Sequence, residues 1–219
     1  MASLTIENYV KMIYQICNSG RETCASTGEL ATALNISPGS VTSMLKTLHE
    51  TGLAKYKPYE GVQLTPSGET LALRVLRRHR LIELFLVKTL DLSWDEVHEE
   101  AENMEHAVSD LLVDRIDQYL GLPPTDPHGD PIPRPDGTLP NQSHSALSDS
   151  KVGTPLSVAR MNDQDTDFLQ FAEKHGLMIG AKIKILEHNK LADSLTIKTN
   201  DETIVLGLTA AANIEVCNA

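Results

Sequence analysis

Six residues in the middle of this 219-residue chain have the types and the spacing to bind a metal ion: His79 with Glu83, and then His98, Glu102, Glu105 and His106. Residues on a helix advance about 100° each, so positions four, seven and eight apart return to one face. From His98, this places Glu102, Glu105 and His106 within a sector of about 100°, and it puts His79 and Glu83 one turn apart on the preceding helix. Imidazoles and carboxylates on neighbouring helices make a mixed nitrogen and oxygen ligand set that suits Mn(II), Fe(II), Zn(II) or related ions. A solvated acidic helix with incidental histidines would read the same way in isolation. The surrounding sequence has to decide between the two.

The elements upstream form a recognisable unit. Apolar residues at Ile6, Tyr9, Val10, Ile13, Tyr14 and Ile16 predict a helix over 5–17, with Thr5 as its cap. Ser26-Thr-Gly-Glu29 is a capping box for a short helix that stops before Asn35-Ile36-Ser37-Pro38. Pro38 then opens a third helix to Thr51, whose Val41, Leu45 and Leu48 share one face and which Gly52 ends. Two short helices joined by a tight turn make a helix-turn-helix, and residues 53–64 predict a hairpin wing around a turn at Pro58 to Gly61. The N-terminal end of the third helix offers Ser37, Pro38, Gly39, Ser40, Thr42 and Ser43, with Lys46 one turn on. Such a face can enter a major groove, while Lys46, Lys55 and Lys57 can meet phosphates.

Downstream, a helix from Pro66 carries His79 and Glu83, and a second is expected from Ser93 to Leu120, with Asp95 and Glu96 near its positive end. The Pro-, Gly-, Ser- and Asp-rich stretch 121–155 reads as a linker. Strands at 156–161, 182–187, 194–199 and 202–208, with one helix over 163–175, then fit a small SH3-like barrel. The expected divisions are a winged helix-turn-helix at 1–73, a metal-binding and dimerisation domain at 74–140, a linker at 141–154 and the barrel at 155–219. The fold class is mainly α with a small β domain.

Charge distribution supports this division. The net charge is −11, yet residues 1–78 carry eight basic against six acidic side chains, whereas residues 79–140 carry four against fourteen. The first segment is compatible with a polyanion, and a multivalent cation would offset self-repulsion in the second. No long apolar run or signal pattern is present, so a cytoplasmic protein with no membrane partner is expected. Cys17, Cys24 and Cys217 lack the spacing of a zinc knuckle or disulfide framework and read as reduced bystanders. His49, His175 and His188 have no clustered partners, His128 and His144 read as turn and surface residues, and Trp94 reads as a packing anchor.

The order of winged helix, Arg78-His-Arg-Leu-Ile-Glu83, Trp94-x-x-x-His98-x-x-x-Glu102-x-x-Glu105-His106, Asp126-Pro-His-Gly-Asp-Pro-Ile-Pro133 and terminal barrel resembles the diphtheria toxin repressor family of iron- and manganese-dependent regulators. The resemblance implies a homodimeric, metal-activated repressor that binds a palindromic double-stranded DNA operator and controls manganese or iron homeostasis. It implies one metal site at His79, Glu83 and His98, with Asp165 or Gln170 as barrel ligands, and another at Glu102, Glu105 and His106 with Asn8 from the first helix. The family has Cys at the position of Glu102 in its iron-responsive branch and Glu in its manganese-responsive branch, so Mn(II) is the expected co-repressor and Fe(II) the alternative. Zn(II) or Co(II) would also bind in vitro, since affinity follows ligand chemistry and not physiology. Lys11 stands where some manganese regulators have an acidic ligand. The other readings are a winged-helix regulator that answers a non-metal effector and a metalloenzyme, the latter without a separate nucleophile or a His-Glu-x-x-His motif.

Overall fold

The computed structural model describes residues 4–18, 24–94, 96–163, 165–199 and 202–219; the helix-start role expected of Asp95 lies outside these residues. Two compact units are present, one formed by residues 1–79 with 133–138 and the other by 80–132 with 139–219.

In the first unit, α1 (Leu4–Asn18), α2 (Thr27–Ala33) and α3 (Pro38–Glu50) precede a hairpin of β1 (Ala54–Lys57) and β2 (Gly61–Leu64), and α4 (Pro66–Leu90) begins. Helix α1 starts at Leu4, so Thr5 lies inside the first turn and does not cap it. Ser26 and Glu29 form the expected reciprocal box: Glu29 N–H donates to Ser26 Oγ at 3.1 Å, and Ser26 N–H donates to Glu29 Oε2 at 2.8 Å. The chain leaves α2 through Asn35 at φ 53, a residue type that tolerates the left-handed region. Ser37 then caps α3. The predicted α3 stripe of Val41, Leu45 and Leu48 is fully buried against Val10, Ile13 and Leu30. Burial of this stripe fixes which face of α3 is left for solvent.

In the second unit, the expected single helix over 93–120 is two helices, α5 (Val97–Glu105) and α6 (Asp110–Tyr119). The break is a capping event, because the Ser109 side chain accepts from Leu112 N–H at 3.3 Å and starts α6 afresh. Ser93 does not cap α5; its hydroxyl and N–H both donate to Glu96 Oε2. Helix α4 presents Ile82 and Leu86 to Val97 and Ala101 of α5, and Leu81 and Leu84 to Val113 and Ile116 of α6. This wedges the His- and Glu-bearing face of α4 against α5.

The stretch 121–155 is not a plain linker. Its first half folds into a tight, buried loop in which Asp126 Oδ1 accepts from the N–H groups of His128 and Asp130, both at 2.9 Å, and Ile132 is fully enclosed. Its second half contributes β3 (Ser145–Ala146) and a 3-10 turn at Leu147–Asp149, with Leu147 in the core of the β domain. Beyond it come β4 (Pro155–Met161), α7 (Thr166–Lys174), β5 (Lys182–Asn189), β6 (Ser194–Lys198), β7 (Thr203–Gly207), α8 (Leu208–Ala212) and β8 (Ile214–Asn218). The sheet order is β3-β8-β4-β5-β6-β7, antiparallel throughout. One face is buried at alternate positions, as β7 shows with Ile204 and Leu206, and Trp94 joins that core.

Candidate metal centre and nucleic-acid face

Helix α4 carries His79 and Glu83 one turn apart, and α5 carries His98, Glu102 and Glu105 on one face. The structure brings them into two groups, His79 with Glu83 and His98, and His79 with Glu102 and Glu105; within each, ligand atoms all lie within 4.8 Å of one another. His79 therefore belongs to both groups, where the family resemblance implied one. His98 Nδ1 lies 3.1 Å from Glu83 Oε1, and His98 Nε2 lies 3.8 Å from Glu102 Oε1.

Burial separates Glu83 and Glu105 from an ordinary acidic surface, while His98 is exposed and Glu102 half-buried. Glu83 and Glu105 are 1% and 0% exposed, a placement that a carboxylate rarely adopts unless paired or ligating. His106 ends α5 with Nε2 3.2 Å from Glu105 Oε1, beside the second group but not a member of it. On α1, the Asn8 amide oxygen is buried and has no hydrogen-bond partner among the described residues, as a ligand atom would be. Lys11, on the same helix, is also buried.

Asp165, expected as a barrel ligand, belongs to neither group among the described residues. The Asp165 carboxylate caps α7, accepting from Asp167 N–H at 3.0 Å, and Gln170 is exposed. Local backbone capping at a helix start competes directly with any role as a distant ligand.

Sequence reasoning missed a second charged group behind the site. Asp126 and Asp130 are buried in the 126–133 loop, and His128, expected as a turn residue of a linker, is fully enclosed with its ring edge-on to Trp94 at 5.4 Å. Burial holds the Asp126 carboxyl well above the usual carboxylate range, reinforced by the charges of Asp130 and Glu83 and opposed by Arg80. The doubled Asp-Pro steps were the available signal, but they match flexible linkers in composition.

At the helix-turn-helix, Ser37, Pro38, Gly39, Ser40, Ser43 and Lys46 are exposed and Thr42 is half-buried. Several hydroxyls serve the helix itself: Ser37 Oγ accepts from Ser40 N–H at 3.2 Å, and the Thr42 hydroxyl donates to Pro38 O at 2.9 Å. The face is thus compact and short of long donors, suited to close backbone approach more than to extensive base readout.

Comparison with known proteins agrees with this arrangement. Residues 1–62 match the iron dependent repressor N-terminal DNA binding domain, residues 65–134 the iron dependent repressor metal binding and dimerisation domain, and residues 146–217 the FeoA domain. The iron-dependent repressor IdeR of Mycobacterium tuberculosis is 30% identical over 161 residues, which are 70% of this chain and 69% of that protein. The chain belongs to the iron-dependent repressor family. Its function is that of the family, metal-dependent transcriptional repression through DNA binding. The regulator MntR of Lysinibacillus sphaericus is 35% identical over 53% of this chain and 81% of its own length. A solved manganese-dependent transcriptional repressor in complex with manganese superposes with a TM-score of 0.89 at 36% identity, covering 98% of this chain and all of that one. The FeoA domain accounts for the terminal sheet, including β8, which the sequence reading did not foresee. No helix among the described residues is long and apolar enough to cross a membrane.

Proposed function

We propose that this repressor takes Mn(II) as its co-repressor, with Fe(II) as the competing ion, and that its role is regulatory and not catalytic. The observation that carries the reading is the placement of Glu102 with His79 and Glu105, a group richer in hard carboxylate than in soft donors. His79, Glu83 and His98 form one ligand set; His79, Glu102 and Glu105 form the other, with His106 and Asn8 as its additional donors. A bound divalent cation would offset the negative charge of the buried Glu83 and Glu105. The ligand preference supports Mn(II) because oxygen donors suit it, and replacing Glu102 by a thiolate would favour a softer ion. The test is an anaerobic titration of DNA binding against Mn(II) and Fe(II), run on the wild type and on Glu102→Cys. The variant is expected to shift toward Fe(II) by about tenfold, near 1.4 kcal/mol. An unchanged preference would remove Glu102 as the determinant.

The repressor acts as a homodimer on a palindromic operator, and α6 is the proposed dimer surface. Leu111, Leu112 and Tyr119 on α6 and Leu122 just beyond it are 70%, 48%, 71% and 57% exposed, an apolar patch that a soluble monomer rarely displays. A two-fold interface counts each substitution twice. Leu111→Glu is therefore expected to weaken dimerisation by roughly 3 kcal/mol, about a hundredfold. Sedimentation equilibrium would show the shift to monomer, and an unchanged dimer constant would move the interface elsewhere.

A further inference from the structure

Behind the proposed metal ligands, Asp130 is held by two guanidinium groups that come from different parts of the second unit. Arg80, the residue after His79 on α4, places Nη2 3.7 Å from Asp130 Oδ1 and Nε 3.6 Å from Asp126 Oδ2, and its Nη1 donates to Pro131 O at 2.6 Å. Arg160, on β4 of the β domain, places Nη2 2.5 Å from the same Asp130 Oδ1. The backbone holds Arg160 there. Strand β4 carries a bulge against β8 between Val158 and Arg160, a device that re-aims the side chain beside it. Met161 N–H donates to His128 O at 2.8 Å, so loop and strand are also joined beside the ion pair.

We propose that Arg160 is a positioning residue for the His79, Glu83 and His98 cluster: acting through Asp130 and Arg80, it lets the β domain set metal affinity without donating a ligand. The inference rests on the reading of that cluster as a metal site. Arg80 lies on α4 between His79 and Glu83, so anchoring its guanidinium to the loop restrains both rotation and sliding of the helix at the turn that holds two ligands. Asp126, Asp130 and Glu83 are close enough for their charges to oppose one another. With Arg160 in place, Asp130 is satisfied from the β domain and Arg80 can divide itself between both aspartates. Without it, Arg80 is drawn toward Asp130 and carries α4 with it. Partners behind a ligand that fix its orientation commonly govern affinity in this manner.

The sign of the effect separates positioning from simple electrostatics. Removing a cation near a divalent site strengthens metal binding by Coulomb's law alone, whereas losing a positioning contact weakens it. Calorimetric titration of the full-length protein with Mn(II), well below its melting range, would compare wild type with Arg160→Met and Arg160→Lys. Arg160→Met is expected to bind about tenfold to a hundredfold more weakly, and Arg160→Lys, which can restore the single contact to Asp130, within about threefold of wild type. Equal or tighter binding by Arg160→Met, or no recovery in Arg160→Lys, would overturn the proposal. If circular dichroism shows Arg160→Met unfolded without metal, Asp130→Asn carries the test, and unchanged affinity there overturns it equally. A wild type that takes up no Mn(II) would instead remove the metal reading of the cluster itself.

Discussion

His79→Ala is expected to abolish the response to Mn(II) at both ligand groups. His79 is the one residue shared by the two groups among the described residues, so its loss takes one of three ligand atoms from each. A change in the layer behind a ligand already lowers affinity by about tenfold to a hundredfold, and loss of the ligand itself should exceed that. At a Mn(II) concentration of about a hundred times the wild-type dissociation constant, binding stabilises the folded state by roughly 2.7 kcal/mol. For a domain of this size that is a rise in melting temperature of about 5–10 °C. The variant should lose that rise. Comparing each protein with and without Mn(II) removes any effect of the substitution on metal-free stability. A variant that keeps the full rise would show that neither group is the site.

Gly129→Ala is expected to be the most destabilising single-methyl change in the loop behind the site. Gly129 has φ +88, and a Cβ there would lie 2.1 Å from Ala159 O and 2.7 Å from Arg160 Cα, both backbone atoms that cannot rotate away. Left-handed strain costs about 1–2 kcal/mol, and forced overpacking about 1–3 kcal/mol more. The loop would have to leave β4, taking with it the Met161 to His128 hydrogen bond and the Asp130 to Arg160 ion pair. Gly153→Ala is the control, because Gly153 has φ +86 but nothing within 4 Å of its Cβ position. The urea midpoint should fall well below that of the control. Trp94 is the only tryptophan and packs on His128, so its emission should shift to the red. Equal midpoints for the two variants would show that the close approach is not a constraint.

Much of the architecture was legible because local signals and burial pointed the same way. The Ser26 box, Pro38 at a helix start and the apolar stripe of α3 are each sufficient locally, and the tertiary structure only confirms them. The ligand candidates on α4 and α5 were legible because one-turn spacing is a property of sequence. That His79 serves two groups was not, since it depends on how α5 packs on α4 through Val97 and Ala101. The helix break at Ser109 was hidden because a serine inside a periodic run reads equally as an interior residue or a cap. The Asp126 to Pro133 loop was read as a linker because Pro, Gly and Asp suit both mobile segments and tight turns; only burial and the arginines distinguish them. Arg160 carried no signal, as its role comes from a bulge and a partner thirty residues away.

The most direct measurement is operator affinity of the full-length wild type with Mn(II) present and after chelation. Metal that prefers the DNA-competent state must raise affinity by the ratio of its binding constants for the two states. The expected result is at least tenfold tighter binding with Mn(II), lost in His79→Ala. Equal affinity in both conditions would contradict the account, however tightly the metal itself were bound.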